Sequence, residues 1–260
     1  NMKRLQNYGF EMVEAASGHL ACGDSGIGKL PEEKLLVEHI VRSIAREKDM
    51  KGMKVLVSAG ATMEAIDPVR YITNHSTGKM GFALAKAAML RGASVTVVKG
   101  HTEAEEPHFV KMVPVKSAQQ MFEAVKEEAA DADIVIMAAA VADYRPSEVY
   151  DQKVKKSDGE MSIALERTED ILAWVGAHKP EKLFVCGFSM ETRDLIENST
   201  AKLKKKNMDM IVANNLKVPG AGFGVDTNVV TIITGQGITE LPLQSKDGVA
   251  GHIADAIANK

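Results

Sequence analysis

The stretch MKVLVSAGATMEAIDPVRYITNHSTGKMGFALAKAAMLRGASVTVV, residues 53–98, decides the fold. MKVLVSA (53–59) is an apolar run of strand length that ends at Gly60. GFALAKAAMLRG (81–92) places small and apolar residues at helix spacing and stops on Gly92. SVTVV (94–98) is a second strand. Strand, helix, strand in this order predicts a parallel pair with a helical crossover. The loop between the first strand and the helix leaves the carboxyl edge of the sheet, where open parallel sheets bind their ligands. It delivers Ser76, Thr77 and Gly78 to the helix start. Free N–H groups and the helix dipole attract anions there. Ser76 and Thr77 add hydroxyls, and Gly78 allows close approach. Two readings follow: a phosphate cradle, or two side chains that only cap the helix.

The pattern repeats downstream. Helices are predicted at 118–130, 168–179 and 191–206, and strands at 133–139, 182–188 and 209–214. Near-continuous apolar strands separated by helices imply a parallel sheet covered on both faces. NVVTIIT (228–234) and ITELPL (238–243) flank Gly-Gln-Gly as an antiparallel hairpin, and GVAGHIADAIANK (248–260) is a closing helix. Upstream, VEHIVRSIARE (37–47) is helical, with Val37, Ile40, Val41 and Ile44 on one face. GHLACGDSGIGKLPE (18–32) is glycine-rich and reads as a loop. The expected class is α/β: a Rossmann-like, mostly parallel sheet with helices on both faces and a C-terminal antiparallel hairpin. Residues 1–50 stand apart from a domain over 51–260.

Composition narrows the function. The 260 residues are 45% apolar, with a formal charge of −3 and acids and bases intermixed. No block of one sign suggests a nucleic-acid arm, and KLKKKN (202–207) reads as a solvated helix end. No apolar run is long enough for a membrane span, and no signal segment opens the chain. The two cysteines, Cys22 and Cys186, have no metal-type spacing, which fits a reduced cytoplasmic protein. A nicotinamide-dependent oxidoreductase is disfavoured. The loop is too long for a dinucleotide turn, and the second strand ends on Lys99 where an acid should hold the ribose.

Six ordered motifs then point to a family. They are GATMEAIDPVRYITNHSTGKMGFALA, AAAVADYRP, KVKK, GFSMET, AKLKKKNMDMIVAN and GFGVDTN. From about Lys54 to the end, the chain resembles the phosphopantothenoylcysteine synthetase family, the phosphopantothenate–cysteine ligases of coenzyme A biosynthesis. ASGHLACGDSGIGKLPE (16–32) resembles the end of the flavin-dependent phosphopantothenoylcysteine decarboxylase, which precedes the ligase in many bacterial bifunctional proteins. In that family the cysteine matching Cys22 is catalytic. The flavin-binding body has no counterpart here, so no flavin and no decarboxylation are expected from this chain alone. Cys186 reads as a buried structural thiol.

The resemblance implies ligation of 4′-phosphopantothenate to L-cysteine with CTP as co-substrate, by way of an acyl-cytidylate. It implies Mg²⁺ on the triphosphate, with Asp143 the candidate protein contact. Lys153 of KVKK is implied in forming the acyl-cytidylate, and Asn74 in the half-reaction that consumes it. Ala139, Ala140, Asp143, Asp170, Ile171, Leu172, Ala173, Phe188, Lys202 and Lys206 match nucleotide contacts. Lys202 and Lys206 lie one turn apart on a predicted helix face. His75 has no evident orienting acid, and no general-base role is assigned to it. Intact ADYRP, KVKK and KLxxKN motifs favour the CTP-using bacterial type over ATP users. FSMET stands where FAAET is commoner, with no matched polar residue changed. The resemblance also implies a homodimer, with the C-terminal hairpin a candidate contact. A non-catalytic scaffold for the decarboxylase is the remaining rival.

Overall fold

The computed structural model describes residues 1–155, 161–191, 193–215, 218, 220–222 and 224–259. They form two units, 1–47 and 48–260. The first holds α1 (Met2–Asn7), an antiparallel hairpin of β1 (Ala16–His19) and β2 (Ser25–Lys29), and α2 (Glu33–Ile44). The hairpin corrects the loop expected at 18–32. Its strands are largely exposed and carry little apolar alternation, and Ile27 is 78% exposed. A ribbon that buries neither face leaves no period-two signal to read.

The second unit follows the predicted alternation. In chain order it contains β3 (Lys54–Ala59), β4 (Met63–Ala65), β5 (Tyr71–Thr73), α3 (Lys79–Leu90), β6 (Ser94–Lys99), β7 (Lys111–Pro114) and α4 (Ala118–Ala129). Then come β8 (Ile134–Met137), β9 (Tyr144–Pro146), β10 (Leu165–Arg167), α5 (Ile171–His178), β11 (Phe184–Glu191) and α6 (Leu195–Lys205). β12 (Met210–Asn215), β13 (Thr227–Thr234), β14 (Gly237–Ser245) and α7 (Lys246–Ala258) complete it. The main sheet has the order β14-β13-β12-β11-β8-β3-β6-β7. It is parallel from β7 to β12 and antiparallel through β13 and β14.

Alternation along the strands sorts the core. Val55, Val57 and Ala59 pack with α3 and α7 on one face, while Leu56 packs with α4, α5 and Leu203 of α6 on the other. Arg91, which ends α3, donates to Asp49 and to Asp255 of α7, fastening the two helices. Cys186 is buried in β11, and burial pushes its thiol well above the usual range. Both cysteines are free thiols.

β3 lies between β6 and β8, so successive connections run first one way along the sheet and then the other. The crevice beyond β3 and β8 is therefore a topological switch point, the expected ligand position for such a sheet. The edge strand β7 and the two three-residue hairpins, β4–β5 and β9–β10, had no strand signal.

Candidate functional site

Two loops meet at the switch point and are stitched together by backbone and buried hydroxyls. Ala140 N–H donates to Gly60 O at 2.9 Å, and Thr62 N–H donates to Ala140 O at 3.3 Å. Ser58 Oγ, fully buried, accepts from Ala139 N–H at 3.1 Å. Thr62 Oγ1 accepts from Ala142 N–H at 3.0 Å. Thr168 Oγ1 donates to Ala142 O at 2.5 Å. Small side chains at 139, 140 and 142 let the backbone come this close.

Asn74 follows β5 and belongs to the same lattice. Its Nδ2 donates to Ala140 O at 3.2 Å and to Val141 O at 3.3 Å. Two carbonyl acceptors fix which end of the carboxamide faces them. Oδ1 is left as an acceptor for a ligand N–H or O–H.

At the start of α3 neither Ser76 nor Thr77 caps the helix. Its N-cap is Gly78, in the left-handed region at φ 77°, and no side chain caps the helix. A Cβ at Gly78 would come within 2.7 Å of Thr102 Oγ1, which itself donates to Thr77 O at 2.6 Å. Ser76 Oγ accepts from Gly78 N–H at 3.4 Å rather than from the first turn of the helix. By contrast α4, α5 and α7 are capped by Ser117, Asp170 and Ser245. Among the described residues, the first-turn N–H groups of α3 thus lack both intrahelical and side-chain acceptors.

These groups surround a cavity of about 430 Å³. Its wall comprises residues 74–80, residues 138–141, Asp143, residues 188–190, Asn214, Gly222, Asn228 and Lys246. Asn74, Ser76, Thr77, Gly78, Ala139, Ala140, Asp143 and Phe188 are therefore brought together as the sequence suggested. Lys79, Asn214, Asn228 and Lys246 are additions. Asn214 and Asn228 are buried and joined by a 3.1 Å hydrogen bond. A polar residue at the end of an otherwise apolar strand was their available signal. Lys79 pairs with Asp226 at 2.7 Å.

The other matched residues form a second group off that wall. Asp170 caps α5 by accepting from Ala173 N–H at 3.0 Å, and Lys206 Nζ approaches the same carboxylate at 2.9 Å. Burial works to raise the Asp170 carboxyl, but the Lys206 and Ala173 hydrogen bonds and the charges of Lys206 and Lys205 hold it below the usual range. Lys202 Nζ binds Glu191 Oε1 at 2.5 Å. Glu191 ends β11, three residues beyond Phe188, so the groups lie along one strand about 10 Å apart. Ile171 is buried core and Leu172 is partly buried against the same cluster. Gly176 of α5 is required by contact, since a Cβ there would come within 1.8 Å of Lys206 O.

Lys153 is exposed and on neither wall. Its neighbour Val154 is clamped: Val154 N–H donates to Asp67 Oδ2 at 3.1 Å, and Arg70 Nη2 donates to Val154 O at 3.1 Å. Asp67 also accepts from the Arg70 side chain and from Val69 and Arg70 N–H. The Arg70 hydrogen bond, chiefly, holds its carboxyl far below the ordinary range. Lys156 lies outside the described residues. His75 is exposed, and Cys22 sits exposed at the β1–β2 turn with Sγ 3.9 Å from Asp24 Oδ2. Lys99 is paired with Glu106.

Among the described residues no group of three His, Cys, Asp or Glu could hold a metal ion, and no helix is long and apolar enough to cross a membrane. Among the described residues of the cavity wall, Asp143 is the sole carboxylate. That donor set suits a cation carried in on a ligand's phosphates better than a resident one.

Residues 50–260 match the family described as the DNA/pantothenate metabolism flavoprotein C-terminal domain. The chain is 45% identical over 262 residues to the "Coenzyme A biosynthesis bifunctional protein CoaBC" of Bacillus subtilis (strain 168), covering 99% of this chain and 64% of that protein. It is 43% identical over 259 residues to the protein of the same name from Vibrio vulnificus (strain YJ016), covering 99% and 64%. It thus spans less than two thirds of the length of these relatives. A crystal structure of the C-terminal domain of a Coenzyme A biosynthesis bifunctional protein CoaBC superimposes with a TM-score of 0.71 at 42% identity, covering 82% of this chain and 97% of that one.

Proposed function

The chain belongs to the DNA/pantothenate metabolism flavoprotein C-terminal domain family, and from that premise we propose that it is a CTP-dependent phosphopantothenate–cysteine ligase. The observation that carries the reading is the switch-point cavity, where an uncapped helix start, the Ala139–Ala140 backbone and Asn74 share one wall. The relatives' names supply the pathway.

In the first half-reaction the substrate carboxylate attacks the α-phosphorus of CTP, forming an acyl-cytidylate and releasing pyrophosphate. In the second, the cysteine amine attacks the acyl carbon, the C–O bond to phosphate breaks and CMP leaves. The start of α3 holds a phosphoryl oxygen by its free N–H groups. Lys153, brought in from the clamped Val154, adds a mobile positive charge. Asn74 uses its N–H groups on Ala140 and Val141, so its free Oδ1 orients a donor on the substrate or the cysteine amine and does not polarise the acyl carbonyl. Phe188 flanks the base, and Asp170, Lys202 and Lys206 bind nucleotide by exchanging partners. Asp143, with the triphosphate, would hold Mg²⁺, which would supply further charge neutralisation.

The setting is cytoplasmic, which two free thiols support. Residues 1–50 are the tail of a decarboxylase domain; the exposed Val37, Ile40 and Ile44 of α2 suit a surface packed against such a body. Exposed Val69, Tyr71, Tyr144, Val149 and Leu165 on and beside the small hairpins support a homodimer face there, as do Ile238 and Leu243 on the C-terminal hairpin.

The test is product formation from 4′-phosphopantothenate, L-cysteine and CTP with Mg²⁺, with ATP as comparator. Phosphopantothenoylcysteine and CMP are expected. Folded protein that turns over neither nucleotide would favour the scaffold reading.

A further inference from the structure

Lys246 is the first residue of α7 and is 7% exposed, an unusual burial for a lysine. Its Nζ donates to Gly222 O at 3.2 Å and to Val225 O at 2.5 Å. Both acceptors are neutral. The nearby acid, Asp226, is committed to Lys79 at 2.7 Å, and Lys246 makes no ion pair among the described residues. Two carbonyls take two of the three ammonium donors but leave the charge uncompensated, and the third donor has no partner among the described residues. Burial first, and then the charge of Lys79, press the ammonium toward its neutral form, with Asp226 opposing. Buried charges are ordinarily paired. Here the unbalanced charge lies on the wall of the same cavity as the uncapped start of α3 and Lys79.

We propose that Lys246 is a phosphate-binding residue, whose ammonium is the built-in counter-ion for a phosphoryl group bound in this cavity. The proposal rests on the ligase reading for the source of that group, which is the nucleotide triphosphate or the 4′-phosphate of the pantothenate substrate. An anion adds to this ammonium without displacing a carboxylate, unlike at Lys202 or Lys206. A structural bolt for the segment holding Gly222 and Val225 would need only the two hydrogen bonds, and its loss would affect all ligands alike.

The experiment measures binding to wild-type, Lys246→Met and Lys246→Arg full-length chains by calorimetry. The probes are CTP against cytidine, 4′-phosphopantothenate against pantothenate, and inorganic pyrophosphate. Lys246→Met should weaken one phosphorylated probe by roughly 10- to 100-fold while its unphosphorylated partner is unchanged. Lys246→Arg should retain most of the affinity. The pair that responds identifies the phosphate. Equal losses for both members of each pair, or none, would overturn the proposal while leaving the ligase reading intact. Wild-type protein that binds pyrophosphate through Lys246 but neither substrate would keep this site and remove the ligase reading. If Lys246→Met does not fold, the acetylation rate of Lys246 in wild-type protein is read by mass spectrometry. CTP, 4′-phosphopantothenate or pyrophosphate should slow it several-fold, and a rate unchanged by all three would refute the assignment.

Discussion

The two ends of the site handle charge in opposite ways. At the cavity end, apart from Lys79 with Asp226, the polar groups are held without a carboxylate partner: Asn74 on its carbonyls, the start of α3, and the Lys246 ammonium on two carbonyls. Along β11 at the other end, every matched lysine is already paired, Lys202 with Glu191 and Lys206 with Asp170. The first end can receive an anion without rearrangement, so its polar groups are oriented before the ligand arrives, as transition-state stabilisation requires. The second must trade one ion pair for another to receive an anion.

The sharpest way to break this contrast is at Asn74. Asn74→Asp puts a carboxylate against the Ala140 and Val141 carbonyls and removes the donors that orient it. Ligated product should fall by roughly 100-fold or more, with pyrophosphate release reduced far less. Equal loss in both half-reactions, measured by single-turnover quench, would place Asn74 outside the acyl-transfer step. Next in size is Lys153→Gln, which removes the mobile charge and leaves the Val154 clamp. Pyrophosphate release should drop on the order of 10- to 100-fold, and an unchanged burst would remove Lys153 from the first half-reaction.

Two changes probe the paired end alone. Gly176→Ala forces α5 away from Lys206 O and should destabilise the fold by about 2 kcal/mol in urea denaturation. Its CTP affinity should weaken while pyrophosphate affinity holds; loss of both would mean the ends are mechanically one. Asp170→Asn keeps an N-cap residue and loses a surface ion pair, so the cost should stay below about 1 kcal/mol. Because the Asp170 carboxyl is depressed in the folded chain, its contribution is complete above the ordinary carboxylate pKa of about 3.9 and disappears as pH falls through the lower folded value. The wild-type and variant stability curves should therefore converge in acid and separate near neutrality.

What could be read from the sequence follows the same physics. The strands of the parallel sheet are buried on both faces, so 53–59, 94–98, 133–139, 182–188 and 209–214 announced themselves as apolar runs. The edge strand at Lys111–Pro114 and the hairpin at 16–29 bury little and gave no such signal. Asn74, Ala139, Ala140 and Asp143 were singled out through their motifs, and the structure places them on one cavity wall. Lys246 was not found. In QSKDG (244–248) a lone lysine beside an aspartate reads as solvent-facing, and only the tertiary fold, which sets it against Gly222 and Val225, buries it. The Asp67–Val154 clamp was equally hidden, since it joins residues 87 apart in sequence.

The central claim is that this cavity makes an acyl-cytidylate. Its most direct test is a mass spectrum of protein mixed with CTP, Mg²⁺ and 4′-phosphopantothenate without cysteine, taken alongside pyrophosphate release. One pyrophosphate per site and a 4′-phosphopantothenoyl-cytidylate that becomes phosphopantothenoylcysteine and CMP when cysteine is added are the predicted result. Product that forms with cysteine while no acyl-cytidylate accumulates and pyrophosphate release is strictly cysteine-dependent, or folded protein that releases none at all, would contradict it.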